Sequence, residues 1–316
     1  MRRAGLQECY GKVRAFFAPV NRTTEMGTVF DPSAGFDLEH PPAPWVDLGL
    51  VRNFKRVAKS TMGAVRTGTA GVAQMQFRKL VDARVSLDFC EWGKLQMALA
   101  ASSQHMNVLE SDGSQPRASG GSAKPGLPML ADSTASLILL DPSVLSNYSV
   151  GELIVVDVDY AAGISELGTG ITGGVPLAGA QLDSDAVRRV SYNVGCVAAV
   201  TATGLQLDAP LLGGAPANGA RVQKVVAFVD REGASFIQEW SALFALEEES
   251  GGRVFFHYPR LQAAAPAEET VAELANGLHT ALLHAEFAAM AAVDANDGET
   301  VVCYRSAVPA AGTPAY

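Results

Sequence analysis

The sequence predicts a mainly β protein of the α+β class, and three observations predict it. β-Branched runs separated by Gly and Pro turns recur through the chain. Gln76–Phe89 alternates, with Phe77, Val81, Val85, Leu87 and Phe89 on one parity and Arg78, Asp82, Arg84 and Asp88 on the other, the pattern of a half-buried strand. Glu91–Ala101 then switches to helical spacing, with Trp92, Leu95 and Leu99 at i, i+3 and i+7. The expected architecture is a β-sandwich or barrel with long β-hairpins, one packed helix, an extended N-terminal arm and an inserted small β domain.

Taken in order, residues 1–47 read as an irregular arm in which Lys12–Val20 forms a short strand. Asp31-Pro32, Pro41-Pro42 and Pro44-Trp45 remove ladder donors and forbid a helix, so the arm should lie extended over something else. Leu48–Ser60 reads as a strand or a helical turn that exposes Arg52, Lys55, Arg56 and Lys59. Ser111–Pro128 is rich in Gly, Ser and Pro without apolar periodicity, a mobile loop of functional length that orders when a neighbouring subunit covers it. Glu152–Tyr160, Ala186–Thr201, Leu205–Leu212 and Arg221–Val229 read as strands.

Ser235–Leu246 and Arg253–Tyr258 flank Ser250-Gly251-Gly252 and predict a long hairpin ended by Pro259, with a helix over 235–249 as the alternative. Propensity alone makes 266–290 helical; the reading adopted is a helix over 267–277 and a strand from His279. Asp294–Gly298 reads as a turn and Glu299–Ser306 as a strand. One domain therefore takes 1–145 and 223–316, and 146–222 forms a small inserted barrel or sandwich.

The 316 residues suit about two domains. With 48% apolar and 18% charged residues the chain is not disordered, and 31 glycines against 7% aromatics favour turns. A net charge of −9 gives no global basic footprint for nucleic acid. Charge is split: residues 1–130 hold 16 basic and 11 acidic side chains, whereas 131–316 hold 8 and 22, so copies could attract head to tail. No apolar run is long enough to span a membrane, and Glu8, Lys12 and Arg14 interrupt any secretion signal, which points to synthesis in the cytoplasm. Cys9, Cys90, Cys196 and Cys303 form no CxxC pair and read as reduced and mostly buried.

Local signatures of chemistry are weak. Gly168-Thr-Gly170-Ile-Thr-Gly173 matches G-x-G-x-x-G, but Gly174, Pro176 and Gly179 follow it, so no helix can receive a pyrophosphate and a loop is expected. Asp294-Ala-Asn296-Asp297-Gly298 resembles a calcium loop without its closing acid and reads as a hairpin turn. Asp157 and Asp159 share one face of a strand and are expected as solvated acids; a cryptic hydrolase would need this pair. Of His40, His105, His257, His279 and His284, the last two lie five apart and share neither a helix face nor a strand face. No H-E-x-x-H, G-x-S-x-G or P-loop occurs. No catalytic, cofactor-binding or metal residue is assigned, and the chain is expected not to be an enzyme. Arg52, Lys55, Arg56 and Lys59 lack aromatic interleaving beyond Phe54 and read as a subunit interface or a solvated face.

Three blocks carry a resemblance: Phe17–Arg56 (FAPVNRTTEMGTVFDPSAGFDLEHPPAPWVDLGLVRNFKR), Met75–Ala100 (MQFRKLVDARVSLDFCEWGKLQMALA), and Phe228–Gly233 through Tyr258–Arg260 with Leu278–Pro309. In these the chain resembles the major tail tube proteins of tailed bacteriophages and related particles. The resemblance implies an arm and a loop that reach neighbours, a helix packed outside, and hairpins from six subunits closing one barrel around a lumen. It implies homohexameric rings stacked head to tail, other tail proteins as partners, and a place in the virion tail after assembly in the host cytoplasm. The lumen conducts DNA and is commonly acidic, so the genome slides without sticking. Residues 146–222 depart from a minimal tube protein and would decorate the exterior. The alternative is a β-rich baseplate or receptor-binding component, which would form trimers and not polymerise.

Overall fold

The computed structural model describes residues 12–20, 26–68, 71–113, 123–157, 192–233, 239–248, 251–264, 268–273 and 279–310. The chain divides into two compact units, Met1–Val20 with Glu25–Ser102 and Glu239–Tyr316 in the first, and Asn21–Thr24 with Ser103–Gln238 in the second. The first unit begins with strands β1 (Val13–Pro19), β2 (Val46–Thr67) and β3 (Val72–Phe89) and helix α1 (Lys94–Ala101). The second contains β4 (Gln104–Leu109), β5 (Leu127–Pro128), β6 (Leu137–Leu139), β7 (Leu153–Asp157), β8 (Val194–Val200), β9 (Gly204–Leu207) and β10 (Arg221–Arg231). The first resumes with β11 (Glu239–Glu247), β12 (Arg253–Ala263), β13 (Glu268–Glu273), β14 (His279–Ala289), β15 (Ala292–Val293), β16 (Thr300–Val301) and β17 (Tyr304–Val308).

Both faces of β1 are buried because it lies between two cores. Phe17 points into a barrel closed by antiparallel pairing around β1, β2, β3, β14, β12 and β11. Its ring centroid lies 6.5, 6.0 and 5.7 Å from those of Phe89, Phe244 and Phe287, so strands distant in sequence meet at one aromatic centre. Each such ring contributes about 1.5–3 kcal/mol by leaving water. Phe16 and Ala18 point the other way and are covered by Phe30, Phe36, Leu38 and Trp45. The arm over residues 26–45 therefore covers its own sheet. That differs from an arm reaching to a neighbour, and hydrogen bonds fix it there. The Thr28 N–H donates to Ser241 Oγ at 2.7 Å, Ser241 Oγ donates to the Pro259 carbonyl at 2.7 Å, and His257 Nε2 meets the Thr28 carbonyl at 3.0 Å. Gly27 passes the Pro259 carbonyl so closely that no Cβ fits.

Sequence expectations hold for β1, for the alternation of β3 at its barrel end, and for the β11–β12 hairpin, where strand pairing replaces the helical alternative. Pro259 does not end the hairpin, because β12 passes it through a register shift and pairs on to Gln262. Helix α1 buries Leu95, Ala98 and Leu99, while Trp92 lies ahead of it and is 46% exposed. The helix expected over 267–277 is not formed: Glu268–Glu273 is strand β13, paired with His279–His284. Helix propensity differs by at most about 0.7 kcal/mol per ordinary residue, and pairing along β14, which buries Leu283, Ala285 and Phe287 on alternate positions, outweighs it.

The second unit orders its strands β4-β10-β7-β8-β9-β6, with β5 also on β10. After β5, the Met129 N–H donates to the Ala220 carbonyl and the Leu130 N–H to the Leu139 carbonyl, which brings the sheet back to β6 and ties its ends together. Its core is aliphatic, with Ile138, Ile154, Val156, Val197, Leu205 and Leu207 at its centre. The small barrel anticipated at 146–222 thus draws on chain well outside those bounds, since β4, β5 and β6 join the same sheet. Within the expected loop Ser111–Pro128, residues 114–122 lie outside the described residues. Ala123 bridges Ser111, and β5 pairs with Arg221–Val222.

Candidate assembly surface

β2 and β3 form one hairpin that outruns the barrel. β1 accompanies β2 only as far as the Val13–Val51 pair, and β14 accompanies β3 only over Arg84–Phe89. From Ala58–Ala83 to Thr67–Val72 the two strands pair with each other alone among the described residues. This ribbon, ten residues of β2 against twelve of β3 with two register shifts, extends about 33 Å at ~3.3 Å per residue.

A bulge at Asn53, which holds φ +52° and donates Nδ2 to Asp88 Oδ2 at 2.5 Å, sets which side chains face inward. Past it, Phe54 and Arg56 turn into the barrel. The Phe54 ring lies 4.9 Å from Phe244, and Arg56 lies beside Tyr258 and Cys303. The expectation that all four basic residues of 52–59 are exposed is therefore corrected for Arg56, which the bulge turns inward. Lys55, Val57 and Lys59 take the opposite, bare face. There they line an open cleft of 350 Å³ with Asp82, Arg84 and Glu286, in which Arg84 pairs with Asp82 at 3.3 Å and Glu286 at 2.9 Å.

Farther out, the same face becomes apolar. Leu80, Phe77, Met75, Val72 and Val65 share it and are 61, 42, 58, 65 and 41% exposed. The Phe77 ring reaches over Gly63, where a Cβ would come within 2.6 Å of it. A two-stranded ribbon is marginally stable by itself, and a contiguous apolar face in water is a signature of an interaction surface.

Among the described residues the sheet β13-β14-β3-β2 has an open border on each side. One is β2 beyond Val51, the other β13. Residues 52–84 hold eight basic side chains and one acidic, whereas 261–304 hold seven acidic and none basic. The borders thus differ in formal charge. The two hairpins also leave the β3–β14 ladder in opposite directions, because β3 continues past Ala288 and β14 past Phe89.

The chemical candidates fall out differently from their sequence expectations. Asp157 is buried and accepts a hydrogen bond from Asn193 Nδ2, so it is not a solvated acid, and Asp159 lies outside the described residues. The Gly168–Gly173 loop lies outside them as well. Asp294 accepts from the Asn296 N–H at 2.9 Å and from the Tyr304 hydroxyl at 2.7 Å, which closes a turn between β15 and β16. Cys90, Cys196 and Cys303 are free thiols, half-buried instead of buried, and Cys9 lies outside the described residues. Burial pushes the Cys303 thiol up, away from the nucleophilic thiolate.

His40 pairs with Asp37 on the surface, His105 is buried, and the His279 side chain lies outside the described set. Burial lowers His257 to about 4, so it stays neutral. His284 Nδ1 lies 2.7 Å from Asp88 Oδ1, a pairing between β14 and β3 that position 284 alone does not disclose. No hydroxyl or thiol nucleophile is hydrogen-bonded to His284 among the described residues, and no group of three or more His, Cys, Asp or Glu there could hold a metal ion. In the second unit a cleft of 280 Å³ is lined by Glu110, Lys124, Tyr148, Gln223 and Lys224, but its charges neutralise one another: Lys124 pairs with Glu110 at 2.7 Å and Lys224 with Glu152 at 2.8 Å. Burial, with Glu110 and Glu152 nearby, pushes the Tyr148 hydroxyl up to about 12.

Among the described residues no helix is long and apolar enough to cross a membrane. No protein-family model matches the chain. No curated protein matches it either. The chain is a mainly β protein of antiparallel sheets, and its most distinctive surface is the basic, apolar-faced β2–β3 ribbon.

Proposed function

We propose that the chain is a structural subunit of a phage-type tail, a tube protein that joins identical copies into stacked hexameric rings around a conduit for nucleic acid. The observation that carries this reading is the single sheet β13-β14-β3-β2, which among the described residues ends in an unpaired border on each side. Unpaired borders template pairing with another chain, and pairing the β2 border of one copy with the β13 border of the next is a heterologous contact, the kind that builds rings. Opposite formal charge on the two borders favours that pairing over like-with-like contacts. The apolar ribbon supplies the contact between rings. Other tail proteins would be its further partners, and the virion tail its location after assembly in the host cytoplasm. No catalysis or cofactor is required.

The test is negative-stain microscopy and sedimentation of the purified protein across concentration and salt. Rings or tubes, more abundant at moderate than at high salt, are expected. Monodisperse monomer under every condition would overturn the reading, and a stable trimer would favour a baseplate or receptor-binding role instead.

A further inference from the structure

We infer that the outer end of the β2–β3 ribbon docks in an acidic cleft on the first unit of the next copy; this rests on the tube reading above and names the surface that receives the ribbon. From Ser60 to Val81 the chain holds three basic side chains, Arg66, Arg78 and Lys79, and no acidic one. All three are exposed, and none lies within ion-pair distance of a carboxylate among the described residues. Asp82 is level with Lys59 at the inner end of the ribbon and pairs with Arg84 at 3.3 Å. Register puts Arg66 and Arg78 on one face and Val65, Met75 and Phe77 on the other. Lys79 stands at the register shift between them, its ammonium 6.0 Å from the centre of the Phe77 ring. A ribbon that is cationic on one face and apolar on the other finds partners for both in a cleft with two walls.

The first unit offers such a cleft, an open one of 840 Å³ lined by the arm at Leu38 and Glu39, by Leu50 of β2, by Glu91, and by Glu247 and Glu248 at the β11–β12 turn. Its own cations are Lys12 and Arg14. Arg14 is taken up by Asp47 at 3.0 Å and Glu39 at 2.6 Å, and Arg253 pairs with Glu247 at 3.3 Å. Counting Asp47 and Arg253 with the lining, five carboxylates meet three cations, an excess of two negative charges. Glu91 has no cation within ion-pair distance among the described residues. Leu50, 38% exposed, gives the apolar face of the ribbon a contact. Opposite charge favours this docking over contact between two ribbons. Val65 lies fifteen residues beyond Leu50 on β2, about 50 Å at ~3.3 Å per residue, so a ribbon does not reach the cleft of its own molecule. A copy displaced along the strands brings its cleft to the ribbon, and the same heterologous contact then repeats from ring to ring.

The test reverses charge on each side and then on both, with assembly read by sedimentation and negative stain at moderate salt and urea midpoints confirming that each variant folds. Arg78→Glu/Lys79→Glu in the ribbon and Glu39→Lys/Glu91→Lys in the cleft change exposed positions, and Arg14 keeps Asp47 in the second. Each should raise the protein concentration needed for tubes at least tenfold and leave single rings. A chain carrying all four substitutions should assemble as wild type does, because its acidic ribbon meets a basic cleft. Tubes undiminished in either two-site variant overturn this inference and leave the tube reading standing. Tubes lost in both and not regained in the four-site chain also overturn it, since the charges then act on other partners. Wild-type oligomers that never close into rings, lost in each two-site variant and regained in the four-site chain, support the docking and remove the tube reading. Wild-type monomer at every concentration overturns both.

Discussion

The two units solve the same problem in different ways. The second brings its sheet back on itself through the Leu130–Leu139 hydrogen bond and fills the inside with aliphatic side chains. The first also closes, around Phe17, Phe89, Phe244 and Phe287, yet lets β2 and β3 run on past the closure with apolar side chains in water. Closing a sheet abolishes its edges, and the extension of β2 and β3 restores them. The difference teaches where to look for function. Among the described residues, one ring of strands returns to its own start, and the other runs on into a ladder whose outer borders pair with no further strand.

The comparison is broken or sharpened first at the cores. Phe17→Ala removes a ring shared by strands of the first barrel and should cost about 3–5 kcal/mol in urea unfolding, and Leu205→Ala should cost the second unit about 2–5 kcal/mol. Losses below about 1 kcal/mol at either site would mean that the corresponding barrel is not closed around that residue. The next effect depends on pH. His257 has a folded-state value of about 4 against an ordinary 6.5, so below 6.5 the unfolded chain takes up a proton that the native one refuses. Stability should therefore fall by about 3 kcal/mol as pH drops from 6.5 to 4. Part of that fall should vanish in His257→Gln; an unchanged pH profile in that variant would place the titrating group elsewhere. The smallest stability effect belongs to the ribbon. Phe77→Ser and Leu80→Ser lie outside any core and should each change stability by no more than about 0.5 kcal/mol. The same two substitutions should reduce sedimenting assemblies strongly. A large stability loss with assembly intact would show that the ribbon folds back onto its own molecule.

Much of this architecture was legible locally. Alternation placed Val85, Leu87 and Phe89 on one buried face because a strand packed on one side repeats every two residues. Gly251 marked the β11–β12 turn through its positive φ. The reach of the hairpin was not legible, since Leu48–Ser60 and Gln76–Phe89 are separated by a stretch whose pairing depends on register. Nor was the inward turn of Arg56, which follows from one bulge at Asn53, or the strand at Glu268–Glu273, where ladder pairing overrides local propensity. The candidate surface was half visible: Arg52, Lys55, Arg56 and Lys59 stood out as a basic run, but Phe77 read as part of the strand's buried face, and two register shifts in β3 bring it beside Leu80 and Met75.

By itself the sequence determined the β class, the helix that follows Phe89, the main turns and the uneven charge, all of which follow from neighbours a few residues apart. Tertiary structure alone decided that the arm covers its own sheet, that β13 is a strand, and that Phe77 and Leu80 stay in water while Phe17 does not. Alternation states that a strand has an apolar face; whether that face meets a partner depends on strands hundreds of residues away and on how far each ladder runs before its neighbour stops.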